Sequence, residues 1–176
     1  MQRASQDVID DVVNNLIIAP TSNTHLELST KIAERALGVT GLNLTDTLLP
    51  RKSSVGEFCP KFLFSGGNDN LNGKSVYITM THGPYNSSDD LWHRTFKVSS
   101  AAKEHGAKKV ILLATDFPDA RQDRGYDEDD KAKGEPNSVR LNARLLRAAG
   151  VDQVITTHEH SPRISSFFAI EYGLLP

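Results

Sequence analysis

Residues 108–160 constrain the fold more than any other part of the chain. Lys108-Lys109-Val110-Ile111-Leu112-Leu113-Ala114 is a short apolar run of the kind a buried strand needs. It empties into a polar loop carrying Ala120-Arg121-Gln122-Asp123-Arg124. Helical spacing follows from about Pro136 to Ala149, and then a second buried strand, Gln153-Val154-Ile155-Thr156-Thr157. That strand ends on His158-Glu159-His160. Parallel strands joined by a helix carry both C-terminal ends to one edge of a sheet, where open α/β folds bind ligands. A cationic loop and two imidazoles are therefore expected at one place. That arrangement suits a polyanion with a divalent metal.

The rest of the chain repeats the alternation. Ser5 to Asn15 has helical spacing with Ser5 as a cap, and Leu16-Ile17-Ile18-Ala19 reads as a strand. A helix is predicted from His25 to Leu37, capped by Ser22 or Thr24 and ended by Gly38. Strands are predicted within Gly41–Leu49 and Glu57–Phe64, with Phe58, Phe62 and Phe64 as anchors. Ser75-Val76-Tyr77-Ile78-Thr79-Met80 is a strand, followed by a loop whose serines cap a helix from Asp89 to His105. Ser161-Pro162 opens a last short helix through Phe168. Asp127 to Gly134 reads as a charged insert without structure of its own. Strands alternating with helices predict one α/β domain over residues 1–176, its mostly parallel central sheet flanked by helices on both faces.

Composition excludes several classes. A formal net charge of -2 argues against a dedicated nucleic-acid binder. No apolar run approaches the roughly 20 residues that span a bilayer, and the N-terminus lacks a signal-peptide core, so a cytoplasmic location is expected. A lone Cys59 excludes an internal disulfide and gives no thiolate metal cluster.

The residues then carry a family resemblance. Ala120-Arg121-Gln122-Asp123-Arg124, the helix Leu141-Asn142-Ala143-Arg144-Leu145-Leu146-Arg147-Ala148-Ala149-Gly150, the strand through Thr156 and Phe167-Phe168 occur in order. With Ser22-Asn23, Gly56-Glu57 and Pro84 through Leu91, they resemble the N-terminal half of ribose-phosphate diphosphokinase, or phosphoribosyl-pyrophosphate synthetase. The resemblance implies a phosphoribosyltransferase-like fold and transfer of the β,γ-diphosphoryl group of magnesium ATP to the 1-hydroxyl of ribose 5-phosphate. It implies that Arg121, Gln122 and Asp123 contact ATP. It places His160 near the phosphates and metal, and makes Glu57 the last residue of an adenine-contacting Phe-x-Asp-Gly-Glu motif.

The departures are specific. The adenine motif reads Ser53-Ser54-Val55-Gly56-Glu57, without its aromatic and its aspartate. The family's Asp-Leu-His reads His158-Glu159-His160, and the aspartate after Phe-Phe is Ala169. The family continues beyond Pro176 into a second domain that carries the ribose 5-phosphate loop, so this half alone is expected to be inactive.

The chemistry of the side chains bears on the same residues. Arg121 and Arg124 can each grip phosphate oxygens through two N–H groups, unless they are spent on Asp116, Asp119, Asp123 and Asp127. His158 and His160, two apart at a strand end, can share one ion while Glu159 faces away. Imidazole favours a transition metal over the Mg2+ implied by the resemblance; the plain alternative is two hydrogen-bonded histidines. The resemblance makes His160 the candidate catalytic residue, and the spacing of the pair makes His158 and His160 the candidate ligands. The helix from Asp89 to His105 is either a core helix or a subunit contact through Trp92, since the resemblance implies a homo-oligomer. Three functions stay open. The first is an ATP-binding domain of the synthetase, taking ribose 5-phosphate only with a C-terminal half. The second is a non-catalytic paralogue that regulates or assembles with a complete synthetase. The third is a separate small phosphate-handling enzyme.

Overall fold

The computed structural model describes residues 16–21, 26–37, 48–63, 70–82, 87–125 and 133–173. The helix expected at Ser5–Asn15, the caps Ser22 and Thr24, the stop at Gly38, Gly41 to Asp46, Phe64 and most of the charged insert lie outside them. The elements are β1 (Leu16–Pro20), α1 (Leu26–Leu37), β2 (Leu48–Lys52), β3 (Phe58–Phe62), β4 (Ser75–Met80), α2 (Ser88–Glu104), β5 (Lys109–Ala114), α3 (Ser138–Ala148), β6 (Gln153–Thr156) and α4 (Pro162–Glu171).

β1, β4, β5 and β6 form one sheet in that order, and every pairing is parallel. Parallel strands need helical crossovers, which α2 and α3 supply. The central strands are buried because both faces are covered. Ser29 of α1 meets Thr79 at 2.5 Å between hydroxyls, while Thr95 of α2 lies 3.3 Å from the Met80 sulfur. Thr79 and Met80 are neighbours on β4 and face opposite ways, so α1 and α2 lie on opposite faces of the sheet. Val76, Ile78, Met80, Val110, Leu112 and Ala114 are buried in the sheet, with Leu91, Val98, Val139 and Leu146 on the helices.

Local chemistry sets the helix ends. Ser87 accepts from the Asp90 amide at 3.1 Å, and Asn137 from the Arg140 amide at 2.9 Å, each capping a helix start. Ser161 caps α4 with Pro162 in its first turn. Gly106 holds φ 89, the left-handed backbone that glycine adopts without strain, and a Cβ there would also displace the Asn72 side chain. Among the described residues no helix is long and apolar enough to cross a membrane.

Two expectations are modified and one pair of alternatives is decided. The segments predicted at 41–49 and 57–64 do not join the parallel sheet. β2 and β3 pair antiparallel as a separate hairpin, Leu48 opposite Phe62 and Lys52 opposite Phe58. The reason is the connection: Ser53–Glu57 is too short for a crossover. The hairpin docks on α2 through buried Phe58 and Phe62, with the Arg94 guanidinium 4.6 Å from the Phe58 ring centre. Secondly, α4 runs past Phe168 to Glu171, because Glu171 pairs with Arg144 of α3 at 2.7 Å. Of the two readings of α2, the core helix holds, and Trp92 is not at the surface for a subunit contact. It is 3 % exposed, stacked on Phe96 and edge-on to Phe117.

Tyr172 closes α4, and its hydroxyl is buried with no hydrogen-bond partner among the described residues. Burial pushes its acidity down, to a pKa of about 12, against the opposing pull of the Arg147 cation 5.3 Å above the ring. The folded value lies above the ordinary one, so its contribution to stability is intact below pH 10 and lost as pH rises towards 12. Tyr172→Phe should be stabilised by about 1 kcal/mol at neutral pH, since it removes an unsatisfied buried group. Its melting temperature should also fall less steeply than the parent's in the alkaline range. Thermal melts of both proteins at neutral and strongly alkaline pH check this; a less stable Tyr172→Phe at neutral pH would mean that the hydroxyl has a partner.

Candidate anion cleft at the sheet edge

The strand ends are in register. Met80 pairs with Ala114 and Ala114 with Thr156, so β4, β5 and β6 stop along one line. The loops leaving that line build a cleft of about 510 Å³. His82 comes from the end of β4, Ser88 from the start of α2, Asp116 to Gln122 from the end of β5, and His158 and His160 from the end of β6. The Thr157 hydroxyl donates to the Thr115 carbonyl at 2.6 Å and ties the last two loops together.

The β5 loop is held from several sides. The Gln122 amide donates to the Asp119 carbonyl at 2.8 Å, and the Val139 amide donates back to the Gln122 carbonyl at 3.3 Å. The Ser138 hydroxyl donates to Gln122 Oε1 at 2.5 Å. Arg121 and Gln122 are exposed and line the cleft. Arg121 is thus placed to offer paired N–H donors to a phosphate, with the N-terminus of α2 opening nearby at Ser88. Asp116 also lines the cleft and opposes an anion by charge.

The structure brings Arg121, Gln122, His158 and His160 into one cleft. It does not bring Asp123, Arg124 or Glu57 there. Asp123 is 7 % exposed, and its carbonyl accepts from Asn137 at 3.0 Å, so it secures the loop to α3. Arg124 is exposed, one residue further on. Glu57 stands in the exposed hairpin turn, where its amide is 3.1 Å from the Ser53 hydroxyl. Glu159 does face away from the histidines. It lines a second, mostly apolar cavity beneath α4, and its carboxylate accepts from Ser165. Phe117 is a wall of both cavities.

Two residues escaped the sequence reading. One is His82; its position two residues beyond the end of β4 was the available signal, because it is the same sheet edge. Asp116 looked like one of several surface charges. Among the described residues no group of three or more His, Cys, Asp or Glu stands close enough to hold a metal ion. Among the described residues, then, no third ligand joins the His158 and His160 pair.

The family profile for the N-terminal domain of ribose phosphate pyrophosphokinase matches residues 16–150. The chain belongs to the ribose-phosphate pyrophosphokinase family. Curated relatives agree. Ribose-phosphate pyrophosphokinase 4 of Saccharomyces cerevisiae is 29 % identical over 92 % of this chain and 45 % of its own length. The ribose-phosphate pyrophosphokinase of Aquifex aeolicus is 33 % identical over 88 % of this chain and 43 % of its own. The crystal structure of phosphoribosylpyrophosphate synthetase from Mycobacterium smegmatis superposes with a TM-score of 0.69 at 24 % identity, over 88 % of this chain and 46 % of that one. At that identity the likeness speaks for the fold, which is the phosphoribosyltransferase-like α/β fold expected from the sequence. The chain thus spans less than half the length of the pyrophosphokinases it matches, and corresponds to their N-terminal domain.

Proposed function

We propose that this chain supplies the nucleotide-phosphate half of a ribose-phosphate pyrophosphokinase site, for the reaction of ATP with ribose 5-phosphate to phosphoribosyl pyrophosphate and AMP. The observation that carries this reading is the convergence of Arg121, Gln122, His158 and His160 on one cleft at the sheet edge. In diphosphoryl transfer the 1-hydroxyl oxygen attacks the β-phosphorus and the bond to the α-phosphate oxygen breaks, releasing AMP. Such chemistry asks a protein mainly for positioning and charge neutralisation. Arg121 gives a fixed cation with paired donors, Gln122 a neutral donor, and His160 a donor or proton carrier beside the phosphates. Asp123 secures the loop from behind rather than touching nucleotide, and Arg124 is outside the cleft lining.

A resident metal does not fit the described residues, since no third ligand joins His158 and His160. Mg2+ keeps several waters and rides on substrate phosphates, so it enters as magnesium ATP, part of the substrate. The two imidazoles remain a candidate chelate for a softer ion. Zinc or nickel should bind them more tightly than magnesium, and His158→Asp should reverse part of that preference. Titrating each metal into both proteins tests this. If neither affinity responds, the pair is structural.

The test of the main reading is nucleotide binding. ATP, ADP and inorganic phosphate should compete for one weak site. Arg121→Ala should lower ATP affinity by about tenfold or more, the scale of a charged hydrogen-bonded contact. GTP should bind nearly as well as ATP, because Ser53 and Val55 replace the aromatic and acidic residues that the family resemblance assigns to adenine. Calorimetry reads all of these. Unchanged binding in Arg121→Ala, or a strong preference for ATP, would contradict the reading.

The second reading, a regulatory or assembly subunit working with a complete synthetase, rests on two observations. The turn at the adenine-motif position presents Val55, 78 % exposed, instead of an aromatic platform. Leu141 and Leu145 lie exposed one helical turn apart on α3, as a contact with another subunit would use them. A cytoplasmic setting accompanies either reading.

A further inference from the structure

Asp119 lies in the wall of the anion cleft, where its charge alone would weaken phosphate binding. Among the described residues it is the only non-glycine with a positive φ, at 62°. Side chains avoid that left-handed region, and aspartate and asparagine tolerate it best. Two hydrogen bonds account for the conformation. Trp92 Nε1 of α2 donates to Asp119 Oδ2 at 2.8 Å, and Asn142 Nδ2 of α3 donates to the same oxygen at 3.1 Å. Both donors are buried, Trp92 3 % and Asn142 6 % exposed, so each needs an acceptor that the protein must provide. The Asp119 carbonyl meanwhile accepts from the Gln122 amide, closing the turn that pushes Arg121 outward.

We propose that Asp119 is a positioning residue: its carboxylate, shared between Trp92 and Asn142, fastens the Arg121–Gln122 segment to α2 and α3 in the shape that receives phosphate. This rests on the phosphate-binding reading of the cleft. The latch works against its own charge, and that makes it testable. If Asp119 acted through charge alone, any neutral replacement would tighten anion binding. A latch divides the replacements. Asp119→Asn keeps an acceptor oxygen and tolerance of the left-handed backbone, and loses the charge. Asp119→Gly keeps the backbone freedom and loses the acceptor.

Two measurements on the full chain separate the possibilities: inorganic phosphate affinity by calorimetry, and hydrogen exchange of the Gln122 amide against core amides of β4 and β5. Asp119→Asn should bind phosphate as tightly as the parent or more tightly, with Gln122 still protected. Asp119→Gly should bind about tenfold more weakly, the scale of a hydrogen bond to a charged group, with faster exchange at Gln122 and an unchanged core. Trp92→Phe, which keeps a ring and removes the donor, should move both readouts in the same direction by less. Unaltered exchange at Gln122 in Asp119→Gly overturns the latch. Faster exchange with phosphate affinity intact, while Arg121→Ala loses affinity, overturns the positioning role. If Arg121→Ala also leaves phosphate binding unchanged, the phosphate reading of the cleft has failed, and faster exchange at Gln122 then upholds the latch as a fact of the fold alone.

Discussion

Given magnesium ATP and ribose 5-phosphate, these 176 residues by themselves should release no AMP at an enzymatic rate. The chain covers 43–45 % of the length of the pyrophosphokinases it resembles. The family resemblance places the ribose 5-phosphate loop in the other part. The proposed function assigns the cleft described above to one polyanion, the nucleotide phosphates. Holding both reactants in line is worth many powers of ten in rate, about 10⁵ or more in effective molarity. Gripping the nucleotide alone forgoes nearly all of it. Chromatographic detection of AMP over hours is the measurement. A turnover near the usual enzyme range of about 10 s⁻¹ would show that these residues hold both substrates.

The second large effect concerns stability. Leu112→Ala should cost about 2–5 kcal/mol, the range for emptying a fully buried aliphatic site. Leu112 is 0 % exposed at the middle of β5, with Ile78 on one side and Val154 on the other. A domain of this kind holds about 5–15 kcal/mol in total, so the loss is a large fraction. Ile155→Ala, on the edge strand and 44 % exposed, should cost much less, within about 1 kcal/mol. Urea unfolding separates the two: a large drop in midpoint at unchanged slope for Leu112→Ala, a small one for Ile155→Ala. Equal midpoints would mean that β6 is as deeply buried in solution as β5.

The elements that sequence reading placed well are those whose signals are local. β4 and β5 announce themselves as apolar runs, α2 and α4 by Ser87 and Ser161-Pro162 at their starts, and α3 by its helical spacing. The site edge followed, because strand order and register put Arg121 and His160 together once the strands were parallel. What stayed hidden depends on partners far apart in the chain. That β2 pairs with β3 and not with the main sheet is a matter of tertiary pairing, although the five residues between them were a clue. The length of α4 depends on Arg144, 27 residues from Glu171. Whether Trp92 served the core or a subunit contact stayed open because nothing nearby showed that Asp119 would meet its indole. Asp123 and Arg121 are two residues apart in one motif, yet one is buried in the loop's foundation and the other is exposed in the cleft. Motif adjacency does not separate those two roles; burial does.

Trp92 has one more consequence. It is the only tryptophan in the chain, against four tyrosines. Its indole touches Asp119 of the cleft loop and the Phe117 ring that walls the cleft. Selectively excited emission from this protein is therefore a local optical signal from the site and not an average over the fold. Phosphate can be titrated against that emission without a label. Unfolding followed by the same light should coincide with loss of the helical circular dichroism only if the loop and the sheet melt as one unit.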